Sequence, residues 1–356
     1  MSGTSLDGVD VAALANDGER HAVAGPALTM PYPADFRERL RAVLGSADPS
    51  PEIAAVEAEL TRHHAAAIAR FRRQHPDVAI DLVGFHGHTI LHRPAERRTW
   101  QIGDGALLAR LVGVDVVGDF RSADVAAGGE GAPLAPLYHA ALAAGRAKPV
   151  AVLNLGGVAN VTWIGPGIGP GIGEREDEIL AFDTGPGNAL IDDWVRHHTG
   201  AAADIDGALA RAGQVSAAHV EGFLEHPYFA RLPPKSLDRD EFREALPAGL
   251  ALADGAATLT AMTAAAAAAA CRHFPMPARE FLVCGGGRHN PALMAALARH
   301  LEVPVRPVEA AGWDGDALEA QAFAYLAVRS LRGLPLSLPS TTGAPYPICG
   351  GRLFSR

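Results

Sequence analysis

The sequence predicts a two-domain α/β protein whose ligand site is assembled from loops of both halves. Three observations predict it. The chain has 356 residues, more than one hydrophobic core usually serves. A glycine-bearing β-hairpin loop opens the chain, and the same pattern restarts near Ala147. Four loops, SGTSLDG, LNLGGVAN, FDTGPGN and VCGGGRHN, set small residues against an apolar run. Glycine lets backbone N–H groups approach an anion, and Ser/Thr hydroxyls add donors. In α/β sheets such loops gather at the carboxyl ends of strands, where ligands bind. One such loop means little. Four, spread over two halves, point to a nucleotide cleft between domains. The expected division is 1–147, then 148–340, with a tail at 341–356 returning to the first domain.

The elements follow in order. Residues 9–15 (VDVAALA) alternate weakly and read as a strand, and 25–30 as a second. Residues 33–44 and 53–71 have helical spacing. DLVGFHG is a buried strand running into a glycine loop. HTILHRP and RTWQIGD read as an antiparallel pair, 106–112 as a short helix, VDVVGDF as another buried strand, and 133–144 as a helix with proline in its first turn. After the break, AVLNLGGVANVTWI is two strands around a double glycine. EILAFDTGPGNALIDDWV is strand, turn and helix, and so is EFLVCGGGRHNPALMAALARHL. Residues 303–308 form a strand and 316–331 a long helix. The alanine-rich stretch at 258–271 is too short and too small for a membrane span and reads as a tightly packed helix. GPGIGPGIG at 165–173 misses G-x-G-x-x-G on spacing and reads as a hairpin tip.

Bulk properties exclude several classes. The net charge of −9 speaks against nucleic acid or an anionic membrane as partner. Cys271, Cys284 and Cys349 are too widely spaced for a disulfide framework or a zinc site and suit a reducing cytosol. Met1 runs straight into polar residues, so no signal peptide is read. Lysine occurs only at Lys148 and Lys235. There is no G-x-x-x-x-G-K-[ST], so this is not a P-loop enzyme. Without a lysine at the loops, a divalent cation is expected to carry much of the phosphate charge.

MSGTSLDGVD, GFHGHTILHRP, QIGDGALLA, VVGDFRSADVAAGGEGAPLAP, LNLGGVANVT, AFDTGPGNALIDDW, PPKSLDRDEF, CGGGRHNPALM and LEAQAFAYLA occur in this order. Together they closely resemble the anhydro-N-acetylmuramic acid kinase family, from Met1 to about Gly343. The resemblance implies the two-domain fold shared by sugar kinases, heat-shock ATPases and actin, with a ribonuclease H-like core and an interdomain cleft. It implies an enzyme that uses ATP, Mg2+ and water to open the 1,6-anhydro ring, giving N-acetylmuramic acid 6-phosphate and ADP. It further implies murein recycling in the cytoplasm by a homodimer, with no nucleic-acid or membrane partner.

The chemistry suits the residues. Water attacking the anomeric carbon needs one carboxylate base opposite the leaving oxygen. The γ-phosphoryl group captures O6, so a second carboxyl group is not required. Asp183 is the candidate base, at the end of an apolar run before Gly185-Pro186-Gly187 turns the chain into a helix. The plainer alternative is that Asp183 only caps that turn.

By resemblance, Gly3, Thr4, Ser5, Leu6, Asp7, Gly8, Val9 and Asp10 form the first ATP-binding stretch. Gly156, Gly157 and Asn160 form the second phosphate loop, and Gly285, Gly286 and Gly287 the adenosine-side loop. Asp7 and Asp10 are the candidate magnesium carboxylates; the less favoured alternative for Asp10 is a solvated residue at a strand start. Thr89, Arg121, Asp124 and Glu319 are the sugar contacts. An arginine can hold the lactyl carboxylate bidentately. Arg121 and Asp124 could instead be a local ion pair, and Glu319 part of a solvated helix face.

His86, His88 and His92 could share a strand face and bind zinc; polar lining of the sugar pocket is the reading preferred. The family usually has glutamine at the place of His88. The pairs His63-His64 and His197-His198 read as surface residues on helices. A silent member of the fold that senses muropeptide or nucleotide, and a plain hexose or amino-sugar kinase, are the competing functions. The family also carries a short apolar strand ahead of MSGTS. The first strand of the first domain is therefore expected to be missing, and the gene model to be shortened.

Overall fold

A computed structural model describes residues 1–3, 6–167, 178–237 and 241–356. Thr4 and Ser5, the glycine-proline run from 168 onward, and residues 238–240 of the PPKSLDRDEF stretch lie outside the described residues. The chain divides into two compact units, and both are of the expected α/β class. The first holds Met1–Ala144 and Ala317–Arg356, the second Gly145–Ile168 and Asp177–Asp316.

In the first unit, β1 (Gly8–Asn16) and β2 (Ala22–Pro31) form an antiparallel hairpin. The Asp17 carboxylate closes its turn by accepting the N–H groups of Glu19, Arg20 and His21. The helix Pro51–Gln74 starts where Ser50 accepts the Ile53 N–H and proline fills the first turn. Its Ile53, Val56 and Leu60 pack with Val9 and Phe36 over the hairpin. His64 on this helix is buried rather than on the surface, its Nδ1 against the Leu60 carbonyl. The apolar residues three and four positions away carry it inward.

β3 (Leu82–Gly84) pairs in parallel with β6 (Asp115–Gly118), while β4 (His88–Arg93) and β5 (Arg98–Ile102) make a separate hairpin. Among the described strands β1 pairs only with β2. A cavity of about 610 Å³ separates β1 from β3, lined by residues of both. At its edge Met1 and Asp10 exchange both backbone hydrogen bonds, at 2.8 and 2.9 Å.

The second unit has one five-stranded sheet. β7 (Val150–Leu155), β8 (Val158–Ile164) and β9 (Ile179–Pro186) form an antiparallel meander, and β10 (Phe281–Cys284) and β11 (Val305–Pro307) join β7 in parallel. The order is β11-β10-β7-β8-β9. The alanine-rich helix Leu252–Ala270 lies between two cores. Ala264 and Ala267 pack on Val161 and Phe182 of the sheet. Leu259 and Met262 pack with Trp194, Phe223 and Phe229. Small side chains let both layers approach the helix closely.

The chain re-enters the first unit at Ala317, not at 341. The helix Leu318–Leu331, expected in the second domain, packs Phe323 and Leu326 onto Val117 and Phe120. β12 (Arg352–Phe354) then pairs antiparallel with β6. The helix's own pattern specifies an apolar face but not which sheet that face covers.

Candidate active site

In the second unit, β9 and β10 both run in the direction of β7, so Leu155, Cys284 and the Asp183 end of β9 share one rim. The Gly156–Gly157 loop sits there under the start of the helix Ala189–Thr199. Gly187 and Ala189 N–H donate to the Gly157 carbonyl, and Asn188 N–H to that of Gly156 at 2.7 Å. Asn188 Nδ2 adds a bond to the Leu155 carbonyl at 2.9 Å. The Gly285–Gly287 loop folds back on the same strand end. Gly285 has φ +75°, and any Cβ there would collide with Asn154. A Cβ on Gly287 would stand 2.6 Å from that of Leu155. Only glycine permits this approach. Gly286 is open. Arg288 fixes the loop from behind, donating to the Gly285 carbonyl at 3.1 Å and to Glu309 and Asp316, each at 2.8 Å.

Strand register places Asp183 opposite Asn160, and Asn160 opposite Asn154. Asp183 is gripped from outside the sheet. Its N–H donates to the Lys235 carbonyl at 3.0 Å. Its carbonyl accepts the Tyr228 hydroxyl at 2.6 Å, and its Oδ2 accepts the Leu237 N–H at 2.8 Å. This carboxylate bond comes from a segment remote in sequence, not from the turn that follows Asp183.

In the first unit, Asp7 is exposed and its carbonyl accepts the Tyr32 N–H at 3.0 Å. Gly8 is required because a Cβ would strike Met30 of β2. Leu6 and Val9 are core residues, and Gly3 is half-buried. Asp10 is half-buried as well, with Oδ1 accepting the Thr29 hydroxyl at 2.6 Å.

Arg121 donates to the Gly131 carbonyl at 2.7 Å and, through Nε and Nη2, faces His86 Nε2 at 3.3 and 3.1 Å. It also lies over the Phe323 ring, 5.9 Å from the centroid. Burial first, and Arg121 second, hold the His86 imidazole well below its ordinary range. It is neutral, with Nε2 the acceptor and Nδ1–H donating to the Gly87 carbonyl at 3.1 Å. Glu319 is exposed to solvent at the start of its helix; partial desolvation there raises its carboxyl, while Arg121 counters. The structure therefore brings Arg121 and Glu319 into one electrostatic neighbourhood.

Asp124, expected as a sugar contact, is only 1% exposed. Its Oδ1 accepts the Gly131 N–H at 2.6 Å, and its Oδ2 accepts the hydroxyls of Ser337 and, at 2.6 Å, Thr342. Both oxygens are engaged inside the protein, so Asp124 pins the Gly131 peptide that Arg121 also holds. Thr89 is half-buried, and its hydroxyl accepts from Gln101 at 3.2 Å.

The three histidines of HGHTILH go separate ways. His88 is buried behind Ser2, whose hydroxyl receives the Tyr32 proton at 2.8 Å and lies 3.0 Å from His88 Nδ1. Burial lowers His88 to about 4. His92 is exposed beside Thr99. Among the described residues no group of three or more His, Cys, Asp or Glu could hold a metal ion. No described helix is long and apolar enough to cross a membrane. Sequence reasoning missed Asn188, Tyr228, Leu237 and Arg288. FDTGPGN, PPKSLDRDEF and CGGGRHN held the signal for Asn188, Leu237 and Arg288, and no quoted motif held Tyr228.

A family model described as anhydro-N-acetylmuramic acid kinase matches residues 1–356. The chain is 59% identical to the anhydro-N-acetylmuramic acid kinase of Paramagnetospirillum magneticum, over 99% of this chain and 97% of that protein. It is 57% identical to that of Acidiphilium cryptum, over 99% and 96%. Among solved structures, a ROK family glucokinase from Streptomyces griseus in complex with glucose and AMPPNP is 13% identical, with TM-score 0.41 over 91% of this chain and 97% of that one. The activator of the 2-hydroxyisocaproyl-CoA dehydratase from Clostridium difficile with bound ADPNP is 12% identical, with TM-score 0.43 over 91% and 96%. On the family match and these identities, the chain belongs to the anhydro-N-acetylmuramic acid kinase family.

Proposed function

We propose that the protein opens the 1,6-anhydro ring of anhydro-N-acetylmuramic acid with water and phosphorylates O6 from ATP, with Asp183 as general base. The observation that carries this reading is the Asp183 carboxylate, which accepts the Leu237 N–H from within β9, opposite Asn160 of the strand that follows the Gly156–Gly157 loop. Water forms the new bond to C1 as the C1–O6 bond breaks, and Asp183 takes the water's proton. O6 bonds to the γ-phosphorus as the bond to the β,γ-bridging oxygen breaks and ADP departs. No second carboxyl group has to protonate O6. Backbone N–H groups of the Gly156–Gly157 and Gly285–Gly287 loops serve the nucleotide, together with residues 3–10.

Mg2+ takes one or two carboxylates, with phosphate oxygens and water completing its shell. Asp7, exposed on the opening loop, and Asp10 fit that donor set. When bound, the ion neutralises phosphate charge. The Arg121 N–H groups not committed to His86 and Gly131 hold the lactyl carboxylate, with Thr89 and Glu319 as further sugar contacts and Asp124 as the residue that positions Arg121. The relatives are kinases by description and lend nothing to a silent sensor. Murein recycling, a cytoplasmic setting and a homodimer complete the proposal.

The test is turnover with MgATP in 18O-labelled water. One label at the C1 hydroxyl per ADP formed is the expected result. Label in the phosphate, or ADP release without ring opening, would overturn it.

A further inference from the structure

We propose that Lys235 and Tyr228 form a latch that aims the Asp183 carboxylate, with Lys235 a positioning residue and not a substrate ligand. The proposal rests on Asp183 being the base. Among the described strands β9 is the end strand of its sheet, so the outward N–H and carbonyl of Asp183 face no described strand. The segment from Tyr228 to Leu237 takes both and also supplies the N–H that the carboxylate accepts. Whatever holds that segment in place therefore holds the carboxylate.

The holding group is an ammonium. Lys235 is 4% exposed. Its Nζ donates to the Tyr228 carbonyl at 3.1 Å. It lies 4.6 Å from the Tyr228 ring centroid and 5.8 Å from that of Phe182, the residue next to Asp183. A buried cation is costly unless something meets its charge, and here a carbonyl and two aromatic faces do so. The side chain thus bridges the outer segment and the strand on the side away from the chemistry.

Among the described residues, the charged side chains that act on the Lys235 ammonium are basic. Arg231 lies over the same Tyr228 ring at 5.5 Å, and Arg272 and His273 approach from the turn after the alanine-rich helix. Burial, then Arg272 and Arg231, bring Lys235 down to about 8. As the pH rises through that value the ammonium becomes neutral, its attraction to the two rings fades, and the latch loosens. The protonated form is the one that grips, so turnover falls on the alkaline side.

The test uses the full chain. Lys235→Met keeps the stem and removes the charge, and Tyr228→Phe removes only the hydroxyl bonded to Asp183. Lys235→Met is expected to lower kcat by about 10- to 100-fold, the scale of a small misplacement of a reacting group. KM for ATP and for the sugar should stay within about twofold, and the fall above pH ~8 should disappear. Tyr228→Phe should lower kcat by less, and the double variant should be non-additive. Unchanged kcat per folded molecule, or an alkaline fall that persists in Lys235→Met, would overturn the latch. If Lys235→Met does not fold, Tyr228→Phe decides by its kcat-against-KM split. Asp183→Asn is assayed alongside. Normal turnover in that variant removes the base reading and the latch together, whereas an inactive Asp183→Asn beside a normal Lys235→Met removes the latch alone.

Discussion

The two units solve the same packing problem differently. In the second, every strand from β7 to β11 has a neighbour within one sheet, and the outward groups of Asp183 on its end strand are met by the segment at 228–237. In the first, the strands fall into three sheets, and a cavity of about 610 Å³ lies between β1 and β3. The first unit also buries uncharged histidines. His64, His86, His88 and His139 all lie within it, and burial is the leading cause that lowers each of them. The difference teaches where precision and weakness sit. A continuous sheet with its edge met by polar partners holds a carboxylate to a fixed direction. A divided sheet with neutral imidazoles in its core depends on conditions.

Acid tests this comparison most strongly. His88 and His139 lie near 4 in the folded state against an ordinary value of 6.5. Between those values the unfolded chain binds more protons than the folded one, so stability falls as the pH falls. The loss starts near pH 6.5 and is complete below about 4, at about 3 kcal/mol for each of the two. Hydrogen exchange at pH 7 and pH 5 should show β1, β3 and β6 losing protection while β7 to β10 keep theirs. Earlier loss in the second unit would break the comparison.

Asp183→Asn comes next. It preserves shape, so the second unit should keep its melting temperature while turnover falls by at least ~10²-fold. Calorimetry and ADP release measure the two halves of that statement. A melting temperature that drops with activity would mean that the carboxylate matters mainly as the acceptor of the Leu237 N–H.

The cavity offers a gain instead of a loss. A strand of about six residues is ordinary in length. An apolar, β-branched hexapeptide fused ahead of Met1 would continue the pairing that Met1 already makes with Asp10 and run along β1. Stabilisation of about 2 kcal/mol, or roughly 4–8 °C in the melting of the first unit, is the expected result. No change would show that the space does not accept a strand.

Arg121→Lys should have the smallest effect. Lysine cannot reproduce the fork that spans His86 and Gly131. The sugar KM should rise several-fold, on the order of 1 kcal/mol, with the ATP KM unchanged. An anhydro-sugar lacking the lactyl group should be nearly insensitive. Equal losses for both substrates would refute the contact.

Much of this was legible in the sequence because it is local. Alternation in VDVAALA and the double glycine of LNLGGVAN mark hairpins through the conformations of neighbouring residues. Gly285 and Gly287 were visible as glycines, although the reason for them, the approach of Asn154 and Leu155, was not. Helix starts at Ser50 and Asp104 follow from side chains that reach only three residues along. His64 was misread because helical spacing shows a face without showing what lies against it.

What the sequence by itself determined is most of the longer elements, the α/β class, the family and the identity of the residues offered for chemistry. Tertiary structure alone decided their partners. It took the helix Leu318–Leu331 back to the first unit, enclosed Asp124 among Gly131, Ser337 and Thr342, and brought Leu237 and Lys235 to Asp183 across some fifty residues of chain. The physical reason is range. Backbone preferences and capping bonds act over a few residues and are written in short motifs. A hydrogen bond or a buried charge is satisfied by whichever group the packed fold carries to it, and no local pattern names that group.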